Sequence, residues 1–401
     1  MIAMSSTSAT ISYAKHVATL IKQVDKAPLI IGGVHPTVAP EDTLMEDCFD
    51  MICIGEGEEA LLELVESMEK GQKNTSIRNI WFKQKRQIIK NRPRPLVENL
   101  DSLPFPDFHL YDFETYLKNH KYIASFVVGR GCPHKCAYCI NRYNQELYKG
   151  LGAYVRYRSA DKVMEEIKSI IREFRVEGVS FCDDTFTSNP VRMKEICRKY
   201  RQQIGLPFEA NARFDNITDQ IMQDLADAGC VRLSLGLESG DPLIRDIVLK
   251  KRITDEQIIE ASKLIKKHGI ELYTFNMIGI PGETSRHIQK SIDLNRKIEP
   301  DVLTVSIFSA YKGTELYDKC KKEGILDETR PLGTYYRYSN VKHPNFSSAR
   351  LGWIRRWFGF RVFISFNVKK AFAHLIDRHL LNLPGYSRVR SILITKFRCH
   401  S

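Results

Sequence analysis

The chain has 401 residues, 43% hydrophobic and 27% charged, so it is long enough for two or three domains and is neither a disordered nor a collagen-like chain. No stretch approaches about 18 uninterrupted apolar residues, which argues against a membrane-spanning helix. Ten cysteines without a secretory leader point to a reducing cytoplasm rather than a disulfide scaffold.

The net charge of +12 lies in the last part of the chain. Residues 331–401 hold 13 Lys and Arg and one acid, Asp377; the other 330 residues hold 47 basic and 47 acidic residues and are neutral.

Taken in order, residues 1–10 read as the exit from a strand. The spacing of Ala14, Val17, Ala18 and Ile21 predicts a helix over 11–24. Pro28-Leu29-Ile30-Ile31-Gly32-Gly33 reads as a short buried strand ending in a glycine turn. A short helix over 40–47, a strand over 49–54 and a helix over 58–69 follow. This alternation predicts a parallel sheet of half the usual size. A hairpin (79–83 and 87–91) leads into Arg92-Pro93-Arg94-Pro95 and Leu103-Pro104-Phe105-Pro106-Asp107, which read as a linker. The expected divisions are 1–95, a linker over 96–120, a body over 121–330, and a tail over 331–401.

From Tyr122 onward strands and helices alternate regularly. Strands are predicted at 123–128, 178–182, 208–212, 231–237, 271–278 and 302–308, with helices between them at 160–174, 190–204, 218–228, 255–268 and 285–298. Six units fall short of a closed eight-unit barrel, so the expected fold is α/β with a partial (βα)6 barrel. In such barrels reactive groups sit at the carboxyl ends of the strands. Polar or glycine-rich elements stand at those ends: Asp183-Asp184, Asn211 with Arg213, Glu238-Ser239-Gly240, and Gly279-Ile280-Pro281-Gly282-Glu283.

After the first strand comes Gly129-Arg130-Gly131-Cys132-Pro133-His134-Lys135-Cys136-Ala137-Tyr138-Cys139. Three soft thiolates at C-x-x-x-C-x-x-C spacing suit an iron–sulfur cluster. A cubane core has four iron corners, so three ligands leave one iron open to substrate. Zinc is the alternative, but it usually takes two paired modules, and no second pair follows. Cys182, Cys197, Cys230 and Cys320 lack ligand spacing and are expected to be core thiols.

The cysteine motif, with an aromatic before its last cysteine, resembles the signature of radical S-adenosylmethionine (radical SAM) enzymes. The resemblance implies a [4Fe-4S] cluster on Cys132, Cys136 and Cys139, whose open iron chelates S-adenosylmethionine (SAM). Reductive cleavage then yields a 5′-deoxyadenosyl radical, with electrons from an external donor such as flavodoxin or ferredoxin. It further implies that Tyr138 lies along the adenine, that Asp183 accepts from the methionine ammonium, and that Glu238 accepts from the ribose hydroxyls. Arg213 would pair with a carboxylate of SAM or of the substrate, the alternative being a buried ion pair with Asp183 or Glu238. Gly279, Ile280 and Gly282 would pass under the adenine. Of the adjacent aspartates only one is expected to face inward, and Asp183 is preferred.

Gly32-Gly33-Val34-His35-Pro36 and Gly55-Glu56-Gly57-Glu58 resemble the C-terminal half of the Rossmann-like cobalamin-binding domain that precedes many radical SAM domains. There the glycines, here Gly32 and Gly33, let the backbone approach cobalamin. The family's Asp-x-His-x-x-Gly loop, whose histidine can ligate cobalt, would lie upstream of Met1, and Thr7 replaces the leucine of its Ser-x-Leu element. The expectation is a truncated or degenerate half-domain, which weakens the case for cobalamin. His35 and Cys53, without partners at ligand spacing, are expected to be structural.

The implied activity is methyl transfer to an unactivated centre, or a radical rearrangement or oxidative cyclisation, on a small-molecule substrate. A non-enzymatic iron–sulfur electron carrier or sensor is the alternative. The tail mixes Trp353, Arg355, Arg356, Trp357, Phe358, Phe360 and Arg361, predicting one or two amphipathic helices over 351–381. Three readings are compatible with it: packing over the barrel mouth, contact with an anionic membrane surface, and nucleic-acid binding. The last ranks lowest, because no RNA-binding module accompanies it.

Overall fold

A computed structural model describes residues 1–84, 87–330 and 339–380. The chain's first element is strand β1 (Ile2–Ser5), followed by α1 (Ile11–Val24), β2 (Leu29–Gly32), α2 (Val34–Val38), α3 (Pro40–Met45), β3 (Met51–Cys53) and α4 (Glu58–Glu69). β1, β2 and β3 pair in parallel, and the antiparallel hairpin β4 (Ile80–Gln84) and β5 (Gln87–Ile89) extends the sheet beside β3. Ile11, Ala14 and Ala18 of α1 pack on Leu29, Ile31 and Ile52, so the helical spacing in the sequence becomes one buried face. Helix α2 was not expected; it starts directly after Gly33, whose φ of 95° turns the chain out of β2.

The segment read as a linker is fastened along its length. Leu96 N–H donates to Leu151 O at 2.7 Å, and helix α5 (Phe113–Asn119) is capped by Asp112, which accepts from Thr115 N–H at 3.0 Å. The Phe113 ring meets Phe174 edge-on at 5.0 Å, tying this segment to the barrel.

The second sheet holds six parallel strands: β6 (Ile123–Phe126), β9 (Gly178–Phe181), β10 (Phe208–Ala212), β11 (Cys230–Glu238), β12 (Glu271–Ile278) and β13 (Val302–Ile307). The order runs β13-β12-β11-β10-β9-β6 without closure, which is a partial (βα)6 barrel. Between β6 and β9 lie the two-residue strands β7 (Gly129–Arg130) and β8 (Arg156–Tyr157), flanking α6 (Asn141–Leu147). Helices α7 (Ala160–Glu173), α8 (Pro190–Gln203), α9 (Asp219–Asp227), α10 (Asp255–Lys267) and α11 (Ser285–Ile298) cover the outer face.

Alternation along the strands separates the two faces. On β12, Leu272, Thr274, Asn276 and Ile278 are buried toward the helices, while Tyr273, Phe275 and Met277 line the hollow inner side. Thr274, Asn276 and Asn295 of α11 satisfy one another at 2.7–2.9 Å, so burying this polar seam leaves its amides paired. Thr218 caps α9 by accepting from Ile221 N–H, and Thr254 with Gln257 forms a capping box on α10.

Helix α12 (Glu315–Lys322) follows the sixth strand, and α13 (Ser348–Phe363) and α14 (Val368–Leu380) form a hairpin. Leu351, Ile354, Phe358, Val362 and Phe363 bury against Leu303, Val305 and Ile307 of β13 and Ile288 and Ile292 of α11. The hairpin therefore covers the outer flank of the last strand, not the barrel mouth. The outward side of β13 is apolar and must be shielded from water. Residues 331–338 and 381–401 of the predicted tail lie outside the described residues. Among the described residues, no helix is long and apolar enough to cross a membrane.

Candidate functional site

The cysteine loop starts where β6 ends and is bounded by β7 and α6. Gly131, with φ 86°, is needed there: a Cβ would stand 2.4 Å from Tyr154 O. Cys132 and Cys136 are buried, Cys139 half-buried. Each thiol meets a polar group from a different element. Cys132 Sγ lies 3.9 Å from Thr185 Oγ1 after β9, Cys136 Sγ accepts from Arg213 Nη1 at 3.7 Å after β10, and Cys139 Sγ accepts from Asn141 Nδ2 at 3.5 Å on α6. Burial holds the Cys132 and Cys139 thiols above their ordinary pKa.

Among the described residues, no three His, Cys, Asp or Glu side chains converge on the position of a single metal ion. Three soft thiolates on one short loop are the donors a multi-iron core takes, one thiolate to a corner. The donor set therefore fits a cluster.

Asp183 is buried, whereas Asp184 is exposed. Asp183 Oδ2 accepts from Val128 N–H at 3.1 Å, which ties the end of β9 to the start of the cysteine loop. Desolvation raises its pKa to about 6. Asp184 instead accepts from Asn141 Nδ2 at 3.2 Å. Arg213 is buried and forked onto Asp215, with Nε and Nη2 each donating at 3.0 Å, and Nη2 also reaches Lys251 O at 2.9 Å. Its ion pair is thus with Asp215, two residues on, and not with Asp183 or Glu238. That choice leaves Nη1 facing the Cys136 sulfur.

Glu238 ends β11 with φ 63°, a conformation uncommon for a non-glycine residue. Its Oε1 accepts from the Tyr138 hydroxyl at 3.3 Å and lies 3.6 Å from Lys251 Nζ, which is 3.4 Å from the same hydroxyl. Burial, then the Glu238 charge, raises the Tyr138 pKa. Gly236 makes room for this trio: a Cβ there would stand 2.3 Å from Glu238 Oε1 and 2.6 Å from Lys251 Nζ.

Sequence reasoning missed Lys251. The only signal was a run of three cations, Lys250-Lys251-Arg252. It is the positive φ of Lys250 and Arg252 that shapes the turn carrying Lys251. Fully buried Arg245 braces the same turn, donating to Ile253 O at 2.6 Å and pairing with Asp255 at 2.7 Å.

Gly279, Ile280 and Gly282 follow β12, with φ of 75° and 82° at the two glycines. Glu283 is fully buried beneath them, its Oε2 accepting from Gly279 N–H at 2.6 Å and Ile280 N–H at 3.3 Å. Desolvation raises its pKa to about 8, so at neutral pH it is largely a protonated brace. Beside Tyr138 a cavity of about 390 Å³ enters the barrel, walled by Tyr273, Phe275 and Met277 on one side and Thr304 and Ser306 on the other. Cys182, expected in the core, is exposed on the inner face after β9, while Cys197, Cys230 and Cys320 are buried. Cys182 stands just past the end of β9, on the opposite side from Phe181, which packs in the core.

At the strand ends of the N-terminal sheet, Gly33 lies against β1: a Cβ would stand 2.8 Å from both Ser5 Oγ and Ser6 O. Gly32 has only ordinary contact, with Cys53 at 3.6 Å. His35 is buried, with Nδ1 3.1 Å from Ser8 Oγ; burial first, then Lys15 and Lys312, lowers its pKa to about 4. The Gly55 turn serves another purpose than cofactor approach. A Cβ at Gly55 would fall 1.7 Å from the hydroxyl of Tyr148, which closes α6 and accepts from Glu56 N–H at 2.7 Å.

Glu56 accepts from Arg156 at 2.6 and 3.0 Å and from Arg130 at 3.0 Å. Burial pushes the Glu56 carboxyl up, but these guanidinium groups hold it below the usual range. The N-terminal sheet thereby grips β7 and β8, the strands that bound the cysteine loop. For cobalamin the fit is partial: Gly32 and Gly33 leave the end of β2 without side chains, whereas the turn after β3 is filled by Tyr148.

Residues 126–294 match the radical SAM superfamily, and residues 1–65 match the B12 binding domain. A methyltransferase of Pyrococcus horikoshii without assigned substrate is 28% identical over 329 residues, covering 81% of this chain and 70% of its own length. The anaerobic magnesium-protoporphyrin IX monomethyl ester cyclase of Rubrivivax gelatinosus is 25% identical over 300 residues, 72% of this chain and 52% of its own. This chain thus spans about half of the cyclase. Among solved structures, the cobalamin-dependent SAM radical enzyme OxsB, with aqua-cobalamin and SAM bound, has a TM-score of 0.71 at 17% identity, covering 100% of this chain and 67% of that one. That likeness concerns the fold. With the cysteine loop following the first strand of a six-stranded parallel sheet, residues 126–294 are a radical SAM domain, and residues 1–65 ahead of it match the B12 binding domain.

Proposed function

We propose that this chain binds a [4Fe-4S] cluster through Cys132, Cys136 and Cys139 and cleaves SAM reductively, using the radical on an unactivated carbon centre of a small-molecule substrate. The observation that supports this most is that each sulfur of the cysteine loop meets a polar group from a different element: Thr185 after β9, Arg213 after β10 and Asn141 on α6. When bound, the cluster supplies the single electron that breaks the sulfur–C5′ bond of SAM.

The chain's own residues do the rest. Arg213, held by Asp215, donates to the Cys136 sulfur and stabilises its negative charge. Asp183 braces Val128 and fixes where the loop begins. Tyr138 lies along the adenine, and Glu238, balanced by Lys251, accepts from the ribose hydroxyls. Gly279, Ile280 and Gly282 present bare backbone beneath the adenine, held by Glu283. The cavity walled by Tyr273 and Phe275 takes the substrate and keeps water from the radical.

Methyl transfer, rearrangement and oxidative cyclisation all begin with this cleavage. The B12 binding match favours methyl transfer, and Gly32 and Gly33 would be the residues that let a corrinoid approach the backbone. The electron donor is external, of flavodoxin or ferredoxin type, and the setting is the cytoplasm, where thiolates stay reduced.

The test is anaerobic incubation of the iron-loaded chain with SAM and dithionite. The expected product is 5′-deoxyadenosine. A cluster that reduces and reoxidises without releasing it would identify an electron-transfer or sensor protein instead.

A further inference from the structure

Resting on the reading that the cavity beside Tyr138 takes the substrate, we propose that its occupant is an uncharged, oxygen-bearing aromatic ring system, and that carboxylate, phosphate and ammonium groups are excluded from it. The cavity, about 390 Å³, is near the lower end of the range for small-molecule sites. Among the described residues that line it, none is Lys, Arg, His, Asp or Glu.

The charged groups at the two ends of β11 are already paired. Arg232, near its start, lies between its neighbours across the sheet: it donates to Glu209 on β10 at 3.0 Å and to Glu271 on β12 at 2.5 Å. At the other end, Glu238 faces Lys251 Nζ at 3.6 Å. A charged group lodged between these pairs would lose its water and gain no counter-ion of its own, which is costly.

The wall offers a ring face and hydroxyls instead. Phe275, midway along β12, is 36% exposed although it stands on the inner side of the barrel, with the Tyr273 ring 4.9 Å away and tilted by 39°. An aromatic side chain left this open in a hollow is a surface on which a flat ring can stack. Next to it, the Tyr273 hydroxyl and Thr304 Oγ1 lie 2.6 Å apart. One O–H closes that bond, and the other is left to donate to an oxygen on the bound ring.

The test is equilibrium dialysis of the iron-loaded full chain, with and without saturating SAM and in the absence of reductant. The ligands are 2-naphthol, 2-naphthoate and 2-naphthylmethylamine, which at pH 7 present one ring system as a neutral, an anionic and a cationic molecule. With SAM present, 2-naphthol should bind at least about tenfold more tightly than the other two. Phe275→Ala should lose most of that binding and Thr304→Val should weaken it about fivefold, both keeping wild-type thermal unfolding and cluster absorbance. No binding of 2-naphthol, equal binding of the three, or no loss in Phe275→Ala would overturn the proposal. So would binding of 2-naphthol that SAM abolishes, which would assign the cavity to the adenine. Formation of 5′-deoxyadenosine with dithionite, measured on the same preparation, keeps the two readings apart: its absence strikes the cleavage chemistry, whereas its presence beside any of these overturning results strikes only the substrate class.

Discussion

Two parallel sheets in this molecule follow the same rule and use it differently. In both, glycine-rich turns stand at the carboxyl ends of strands, where a ligand would be sought. In the barrel two of those ends point polar groups at two of the three thiols, and the last strands border an open cavity. In the N-terminal sheet the Gly55 turn is filled by Tyr148, and Glu56 is consumed by Arg156 and Arg130. A glycine at a strand end reports close approach, but not of what. At Gly55 the approaching group is a side chain of the same protein.

That contrast can be broken at either end. The largest effect is expected from Cys136→Ala, which removes a corner ligand. The variant should lose the visible sulfur-to-iron charge-transfer band and form no detectable 5′-deoxyadenosine; an iron-loaded variant that keeps the band would remove Cys136 from the ligand set.

Glu56→Gln comes next. It leaves the buried Arg156 guanidinium without its carboxylate, at a cost of about 3–5 kcal/mol. Chemical denaturation should show that loss, with proteolysis becoming faster near β7 and β8. Unchanged stability would mean that the two sheets are not held together by this cluster of charges.

The smallest effect is expected from Glu283→Gln. A glutamate whose folded pKa is raised to about 8 is protonated in the folded chain and ionised in the unfolded chain between its ordinary value and that pH. Its contribution to stability is therefore full below the ordinary carboxyl pKa and is lost as pH rises through about 8. Asp241, paired with Lys290, is the neighbouring charge that adds to the shift. The glutamine variant keeps the shape of the neutral brace, so its stability should vary less between pH 5 and pH 8. Wild type and variant with parallel pH profiles would show that Glu283 is ionised in the folded chain.

Much of the barrel was legible because its signals are local. Period-two strands and period-3.6 helices lie within short windows. The cysteine spacing was legible for the same reason. Lys251 was not, because its partners Tyr138 and Glu238 come from segments remote from it in the chain. Cys182 was misread as a core thiol because a strand's inward side is buried in a filled sheet and open in a hollow one.

By itself the sequence determined the order of strands and helices, the three thiols on one loop and the basic character of the tail. These follow from residue type and spacing. Only the tertiary structure decided which groups face which sulfur, that Arg213 pairs with Asp215 rather than Glu238, that Tyr148 occupies the Gly55 turn, and that the tail covers the flank of β13. Each of these is a contact between segments far apart in the chain or a competition between near and far partners. Packing settles such choices, and no local pattern carries them.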